Sequence, residues 1–176
     1  MEVSLKNGLK VVIRKISLDD AENLLNFYTK ATNETKFLAY GPGEFNFKLE
    51  EERDFIKKQL QDKKALMAVA EFQERIVGSV SFKPCVGTQF SHYGEMGIAV
   101  LKEFWGEGLG YALISFLKKW AKDNGVRKIN LNVRVDNKRA ISLYEKAGFT
   151  CEGRISRHYL INGVFYDSYI MGLEID

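Results

Sequence analysis

Hydrophobic and polar positions along this chain follow two periods, and each change of period marks an element. Leu9 to Ile16 is apolar and β-branched, which predicts a first strand. Ser17 follows as a helix cap, and Ala21, Leu24, Leu25 and Tyr28 then recur at helical spacing. A loop rich in glycine and aromatics, Phe37 to Phe47 with Tyr40-Gly41-Pro42-Gly43 inside it, leads to a highly charged second helix over Leu49 to Asp62. Ala65 to Phe72 and Ile76 to Lys83 predict two strands around a tight turn at Gln73-Glu74-Arg75. Tyr93 to Leu101 predicts a central strand, because its end is apolar on both faces.

The second half is more regular. Leu109, Ala112, Leu113, Phe116, Leu117 and Trp120 lie along one helical face, and Asn124-Gly125 ends that helix. Ile129, Leu131, Val133 and Val135 alternate with Asn130, Asn132 and Arg134, the period of a strand. Asn137 caps a short helix carrying Ala140, Ile141, Leu143, Tyr144 and Ala147, stopped by Gly148. Strands over Phe149 to Ile161 and Val164 to Leu173 meet at Asn162-Gly163, a strong hairpin signal. This order, β-α-α-β-β-β-α-β-α-β-β, implies a mixed sheet covered by helices. No linker or repeat divides it, so residues 1–176 read as one domain.

Composition narrows the function classes. The chain has 176 residues, 45% of them apolar and 28% charged, with two prolines, which suits a globular domain with a full core. A net charge of +3 with no basic run gives no footprint for nucleic acid. Cys85 and Cys151 stand alone, without metal-ligand spacing, and are expected as reduced thiols. Met1 to Lys10 has no apolar signal-peptide core, and no segment reaches the ~20 apolar residues of a membrane span. A soluble, cytoplasmic protein without membrane contact or metal is expected.

Candidate chemistry concentrates in two stretches. The first is Phe104-Trp105-Gly106-Glu107-Gly108-Leu109-Gly110, between the apolar run Met96 to Leu101 and the helix from Leu109. Alternate glycines at a strand-to-helix junction expose backbone N–H groups where the helix adds partial positive charge, a site for phosphate or pyrophosphate. Tyr111 breaks the G-x-G-x-x-G spacing of a dinucleotide fingerprint, and the Gly-Lys-Ser/Thr of a Walker loop is missing. The second stretch runs from Asn137 to Phe149. Asn137 and Tyr144 stand about two turns apart on nearly the same helix face. By spacing alone, Tyr144 reads as part of the apolar stripe.

Together these stretches resemble the GNAT superfamily of acyl-CoA-dependent N-acyltransferases. Gly108 and Gly110 match its pyrophosphate loop, Q/R-x-x-G-x-G/A. Asn137, Ala140, Leu143, Tyr144, Lys146, Gly148 and Phe149 match N-x-x-A-x-x-L-Y-x-K-x-G-F throughout. Trp105 departs from the pattern, standing where the family has Gln or Arg and removing a polar side chain near the cofactor phosphates. The resemblance covers the whole chain as a single acetyltransferase domain. It implies an α+β fold with a central mixed, mostly antiparallel sheet of about seven strands, a splayed parallel pair, and about four flanking helices.

It also implies acetyl-CoA as co-substrate, with no metal, and a small-molecule amine, polyamine or peptide N-terminus as acceptor. Ile98, Ala99 and Val100 would offer backbone groups to the pantetheine arm and thioester. Trp105, Gly106, Glu107, Gly108, Leu109 and Gly110 would form the pyrophosphate loop, and Asn137 would lie close to the pantetheine. Tyr144 is the family-matched general acid for the thiolate of coenzyme A. Glu95, at the start of the central strand, is the candidate base, with a solvent-facing strand-end glutamate as the alternative reading. His92 competes for that role, while His158, on a late strand, reads as structural. The Phe37 to Phe47 loop lies where relatives shape the acceptor pocket, and its aromatics read equally as a loop cover. Glu44, Glu50, Glu51 and Glu52 form an acidic cluster suited to attract a polyamine or another cationic amine, though a solvated helix start is the better reading. Arg157, Tyr159, Asp167 and Tyr169 on the last hairpin look like those of ribosomal-protein N-terminal and spermidine acetyltransferases. The alternatives are a non-catalytic acyl-CoA-binding or sensing module on the same fold, and a nucleotide-binding regulator. A homodimer is compatible with the family.

Overall fold

The computed structural model describes residues 1–176, which group into two compact units, Met1–Lys83 with Gly97–Leu117, and Pro84–Met96 with Lys118–Asp176. Eight strands, β1 (Glu2–Ser4), β2 (Lys10–Lys15), β3 (Leu66–Phe72), β4 (Arg75–Pro84), β5 (Tyr93–Val100), β6 (Lys128–Arg134), β7 (Thr150–Ile161) and β8 (Val164–Glu174), form a mixed sheet in the order β1-β2-β3-β4-β5-β6-β8-β7. Four α-helices accompany them. None of these helices is long and apolar enough to cross a membrane.

The first unit opens with an antiparallel meander. It comprises β1 (Glu2–Ser4), β2 (Lys10–Lys15), β3 (Leu66–Phe72) and β4 (Arg75–Pro84), and it also holds the last residues of β5 (Tyr93–Val100). Ile13 stands opposite Ala70, and Val69 opposite Ser79. The β1 strand escapes the sequence pattern because it is three residues long and polar at both ends. It holds its place by pairing Val3 with Val11. The β3–β4 turn falls at Gln73 and Glu74, both left-handed with φ of 49° and 62°.

Two helices of this unit, α1 (Ala21–Glu34) and α2 (Leu49–Gln61), come from the charged first half of the chain. Ser17 caps a short 3-10 turn, Leu18–Asp20, that leads into α1, so the expected helix cap lies one turn earlier than the helix itself. Asp20 is the anchor there. Its carboxylate accepts from the Ser17 N–H at 2.7 Å and from Arg14 at 2.7 Å, and Arg14 also reaches Glu71 at 2.6 Å.

Strand β4 is buried on both faces, for a reason visible at two neighbouring residues. A Cβ on Gly78 would meet the Leu113 and Leu109 side chains at 3.1 and 3.4 Å, so α3 (Leu109–Asp123) packs close on that face. Ser79 points the other way, where the Tyr28 hydroxyl of α1 lies 2.9 Å from its Oγ. Leu24, Ile56, Val69, Phe82, Leu109 and Leu113 fill this unit's core with almost no exposed surface.

The second unit contains the first residues of β5, with β6 (Lys128–Arg134), α4 (Lys138–Ala147), β7 (Thr150–Ile161) and β8 (Val164–Glu174). The parallel ladder of β5 with β6 covers Tyr93–Lys128, Gly94–Ile129 and Glu95–Asn130. The ladders of β1 with β2, β2 with β3, β3 with β4, β6 with β8 and β7 with β8 are antiparallel. Asn162 and Gly163, with φ of 49° and 77°, form the tight hairpin turn expected of that pair. A bulge near Arg157 is braced by Asp167, which accepts from the Arg157 N–H at 2.8 Å and from Arg154 at 2.6 Å.

Candidate active site

The last residues of β5 deliver Ile98, Ala99 and Val100. The strand stays bonded to β4 to its end, since the Leu101 N–H donates to the Val77 carbonyl at 3.0 Å. A 3-10 turn, Lys102–Phe104, then leads into the glycine loop. Helix α1 clamps that turn. Glu34 accepts from the Lys102 N–H at 2.7 Å, and Lys30 pairs with Glu103 at 2.9 Å.

Trp105 is tied back to the strand, its indole Nε1 donating to the Val100 carbonyl at 2.7 Å. The Lys6 N–H fastens the loop again through the Glu107 carbonyl at 3.1 Å. Gly106 and Gly108 adopt left-handed φ of 84° and 93°, which side-chain-bearing residues reach only at a cost. A Cβ on Gly108 would meet nothing within 4 Å, so its backbone borders open space. Gly110 belongs to the first turn of α3 and does not need a left-handed conformation.

The first bond of α3 runs from the Ala112 N–H to the Gly108 carbonyl at 3.0 Å. The N–H groups of Leu109, Gly110 and Tyr111 therefore precede the intrahelical ladder, at the positive end of the helix. Donors of this kind, on glycine backbone beside open space, suit the oxygens of a diphosphate. Trp105 to Gly110, the residues expected to form the pyrophosphate loop, thus run continuously from the turn after β5 into α3.

In the second unit, Glu95 is exposed at the end of the parallel ladder, in register with Asn130. Asn130 Oδ1 is buried without a hydrogen-bond donor. His92 lies in the preceding turn, where its carbonyl accepts from the Arg127 N–H at 2.7 Å while its ring is exposed against Tyr93. His158 Nδ1 lies 2.6 Å from Ser168 Oγ and its ring packs on Tyr159. Both cysteines are free.

Asn137 caps α4, its Oδ1 accepting from the Ala140 N–H at 3.3 Å, so its side-chain amide N–H groups are what it could offer a ligand. Gly148 closes the helix in a left-handed conformation at φ 100°. Tyr144 and Ala147 form the buried stripe of α4, and the Tyr144 ring packs against Phe149. Burial, and then the charge of Tyr159, push the Tyr144 phenol up to about 12. It holds its proton firmly at neutral pH.

A further cluster lies in the first unit, beside β4. Glu50 and Glu51 are exposed as a solvated helix start, but Glu52 is only 5% exposed. The expectation that Glu52 belongs to a solvated cluster is therefore corrected. Glu52 and Ile56 are one helical turn apart and form the inner face of α2. That spacing was the signal, masked by the run of charges around it. Burial raises the Glu52 pKa. Tyr28 is also raised, by burial, against the lowering effect of the Ser79 hydrogen bond, with the Glu52 charge adding to the rise. Over this cluster, Phe45 packs against Tyr28, Tyr40 and Phe47 with ring centroids 5.4, 5.5 and 4.9 Å away.

Comparison with known proteins fits this geometry. The Acetyltransferase (GNAT) family model matches residues 19–149. The N-alpha-acetyltransferase 30 of Schizosaccharomyces pombe is 36% identical over 105 residues, covering 58% of this chain and 69% of that protein. The L-amino acid N-acetyltransferase of Escherichia coli is 34% identical over 98 residues, covering 54% of this chain and 60% of that protein. Among solved structures, an acetyltransferase of the GNAT family from Streptococcus pneumoniae superposes with a TM-score of 0.89 at 29% identity, covering 94% of this chain and 99% of that one.

Proposed function

The chain belongs to the GNAT acetyltransferase family and transfers acetyl groups, and on that premise we propose that it moves the acetyl group of acetyl-CoA to a primary amine by direct attack in a ternary complex. The observation that carries this reading is the pair of left-handed glycines, Gly106 and Gly108, set before the free N–H groups of α3. We read residues 1–176 as a single acetyltransferase domain.

In this proposal the amides from Gly106 to Gly110 grip the pyrophosphate, and the backbone of Ile98, Ala99 and Val100 lines the pantetheine and the thioester. Trp105 acts through its bond to Val100, holding the loop rather than touching phosphate. Asn137 contacts the pantetheine arm. Asn130 Oδ1, buried without a donor, suits an amide N–H of that arm.

The acceptor loses a proton to become nucleophilic, and Glu95 takes that proton directly or through water. The amine nitrogen bonds to the thioester carbon, and negative charge builds on the carbonyl oxygen, where a fixed backbone N–H stabilises it. As the carbon–sulfur bond breaks, sulfur takes the electron pair. Tyr144, protonated until this step, donates its proton to that thiolate, and the proton shed by the nitrogen as the amide forms restores the phenol.

The test follows thiol release on mixing purified protein, acetyl-CoA and a panel of primary amines with a chromogenic disulfide. Amine-dependent release is expected. Thermal stabilisation by coenzyme A with no release for any amine would replace this reading with a non-catalytic acyl-CoA-binding module.

A further inference from the structure

Glu52 is a carboxylate in an expensive place. It is 5% exposed, its carboxylate keeps contact with solvent and makes no hydrogen bond or ion pair within the chain, and burial raises its pKa. A largely buried carboxylate without a cation is destabilising, so a fold selected for stability alone would place an apolar residue beside Ile56. Stability given up in this way is typical of a group kept for a ligand.

Its surroundings say which ligand. The Tyr28 hydroxyl and Ser79 Oγ are 2.9 Å apart, one donating to the other, which leaves lone pairs unused on both oxygens. Helix α2, which carries Glu52, packs against α1, which carries Tyr28, and the Glu52 charge adds to the rise of the Tyr28 pKa. Three oxygen-bearing side chains with no positive partner suit a group that brings several N–H donors and a positive charge, which describes an ammonium. Above them, Tyr40 and Phe47 are exposed aromatics braced on Phe45, a surface for an apolar body or for a cation over a ring face.

The position in the fold is also suited to an acceptor. Ser79 follows Gly78, where a Cβ would stand 3.5 Å from the Ala99 carbonyl, and a Cβ on Gly97 would meet Ser81 Oγ at 3.0 Å. The β4 residues that carry this cluster therefore run directly beside Gly97 to Ala99.

We propose that Glu52, with Tyr28 and Ser79, receives the ammonium group of the acceptor, and that the acceptor is a cationic amine with an apolar or aromatic body seated on Tyr40, Phe45 and Phe47. This rests on the acetyl-transfer reading for its purpose, but the binding site can be tested apart from it. Glu52 is a specificity-determining residue here, and no proton-transfer step is assigned to it.

The experiment compares the full-length protein with Glu52→Gln, which keeps the shape and removes the charge. Tyramine serves as the cationic probe and aniline as the neutral one. Binding is read by calorimetry with coenzyme A present, and turnover by thiol release. Wild type should bind tyramine more tightly than aniline, and Glu52→Gln should weaken tyramine by roughly tenfold or more while leaving acetyl-CoA affinity unchanged. Without ligand, Glu52→Gln should melt at or above the wild-type temperature, because a desolvated charge has been removed.

Tyramine binding unchanged by Glu52→Gln, or a lower melting temperature of that variant, overturns the ammonium site. If tyramine binds through Glu52 yet no thiol is released, the site stands and acetyl transfer falls. If thiol is released with the same tyramine KM in both proteins, transfer stands and the site falls.

Discussion

The indole Nε1 of Trp105 donates a 2.7 Å hydrogen bond to the carbonyl of Val100, fastening the glycine loop to the strand that precedes it. A residue that breaks the family's Gln/Arg pattern thus sets the geometry of the loop through the backbone. Trp105→Phe removes the indole donor and leaves a smaller aromatic ring. A part-buried hydrogen bond contributes about 1 kcal/mol, so coenzyme A affinity should weaken by about fivefold. Calorimetric titration of the variant decides it, and an unchanged Kd would mean the loop holds its shape without the indole.

Gly108 and Gly110 should respond differently to alanine. Gly108 has φ of 93° with open space around it, so Gly108→Ala brings strain without collision. The cost should be about 1–3 kcal/mol. Gly110 lies in the first turn of α3 outside the left-handed region, so Gly110→Ala should be neutral or slightly stabilising. Denaturant melts of the two variants read this directly, and equal losses would contradict the loop conformation.

Asp20 links strand to helix. Burial tends to raise its pKa, but hydrogen bonds from Arg14 and Ser17 outweigh that and hold it below the usual carboxylate value of 3.8. A folded-state pKa below the unfolded one means stability is present above the unfolded pKa and lost as pH falls through the folded value. Breaking a fully buried pair costs roughly 3–5 kcal/mol, and the partial exposure of Arg14 reduces this to about 2 kcal/mol for Asp20→Ala. Measured by urea unfolding, the gap between wild type and Asp20→Ala should be full at pH 6 and shrink below pH ~4. A gap independent of pH would show that the carboxylate charge is not what holds Arg14.

Tyr144→Phe should lower turnover by about a hundredfold and leave coenzyme A binding nearly intact. The raised phenol adds a stability signature. Its folded pKa of about 12 exceeds the ordinary tyrosine value of about 10, so its contribution is complete below the unfolded pKa and is lost as pH rises from 10 towards 12. Tyr144→Phe should flatten that part of the alkaline stability profile. A wild-type rate in this variant would remove the residue from the chemistry.

Much of the fold was legible because its elements declare themselves locally. The α3 helix shows a continuous apolar stripe, and β6 alternates strictly. Asn137, Gly148 and the Asn162-Gly163 turn each use a residue whose own geometry demands that position. Strand β1 was not legible, since three residues with polar ends carry no period and depend on pairing with β2.

The site divides in the same way. The glycine loop and the Asn137–Phe149 stretch are contiguous, so their spacing alone located them. Tyr28, Glu52 and Ser79 come from α1, α2 and β4 and lack any motif that joins them. Within α2, three glutamates in a row look alike, and only helix packing chooses which one is buried.

By itself, the sequence determined the class of fold, the order of its elements and the backbone cradle before α3, because caps, turns and glycine conformations are properties of neighbouring residues. Tertiary structure alone decided that Trp105 braces Val100, that Ser79 meets Tyr28, and that Glu52 faces inward without a cation. Those facts depend on which surfaces are brought together, and desolvation acts only once they are.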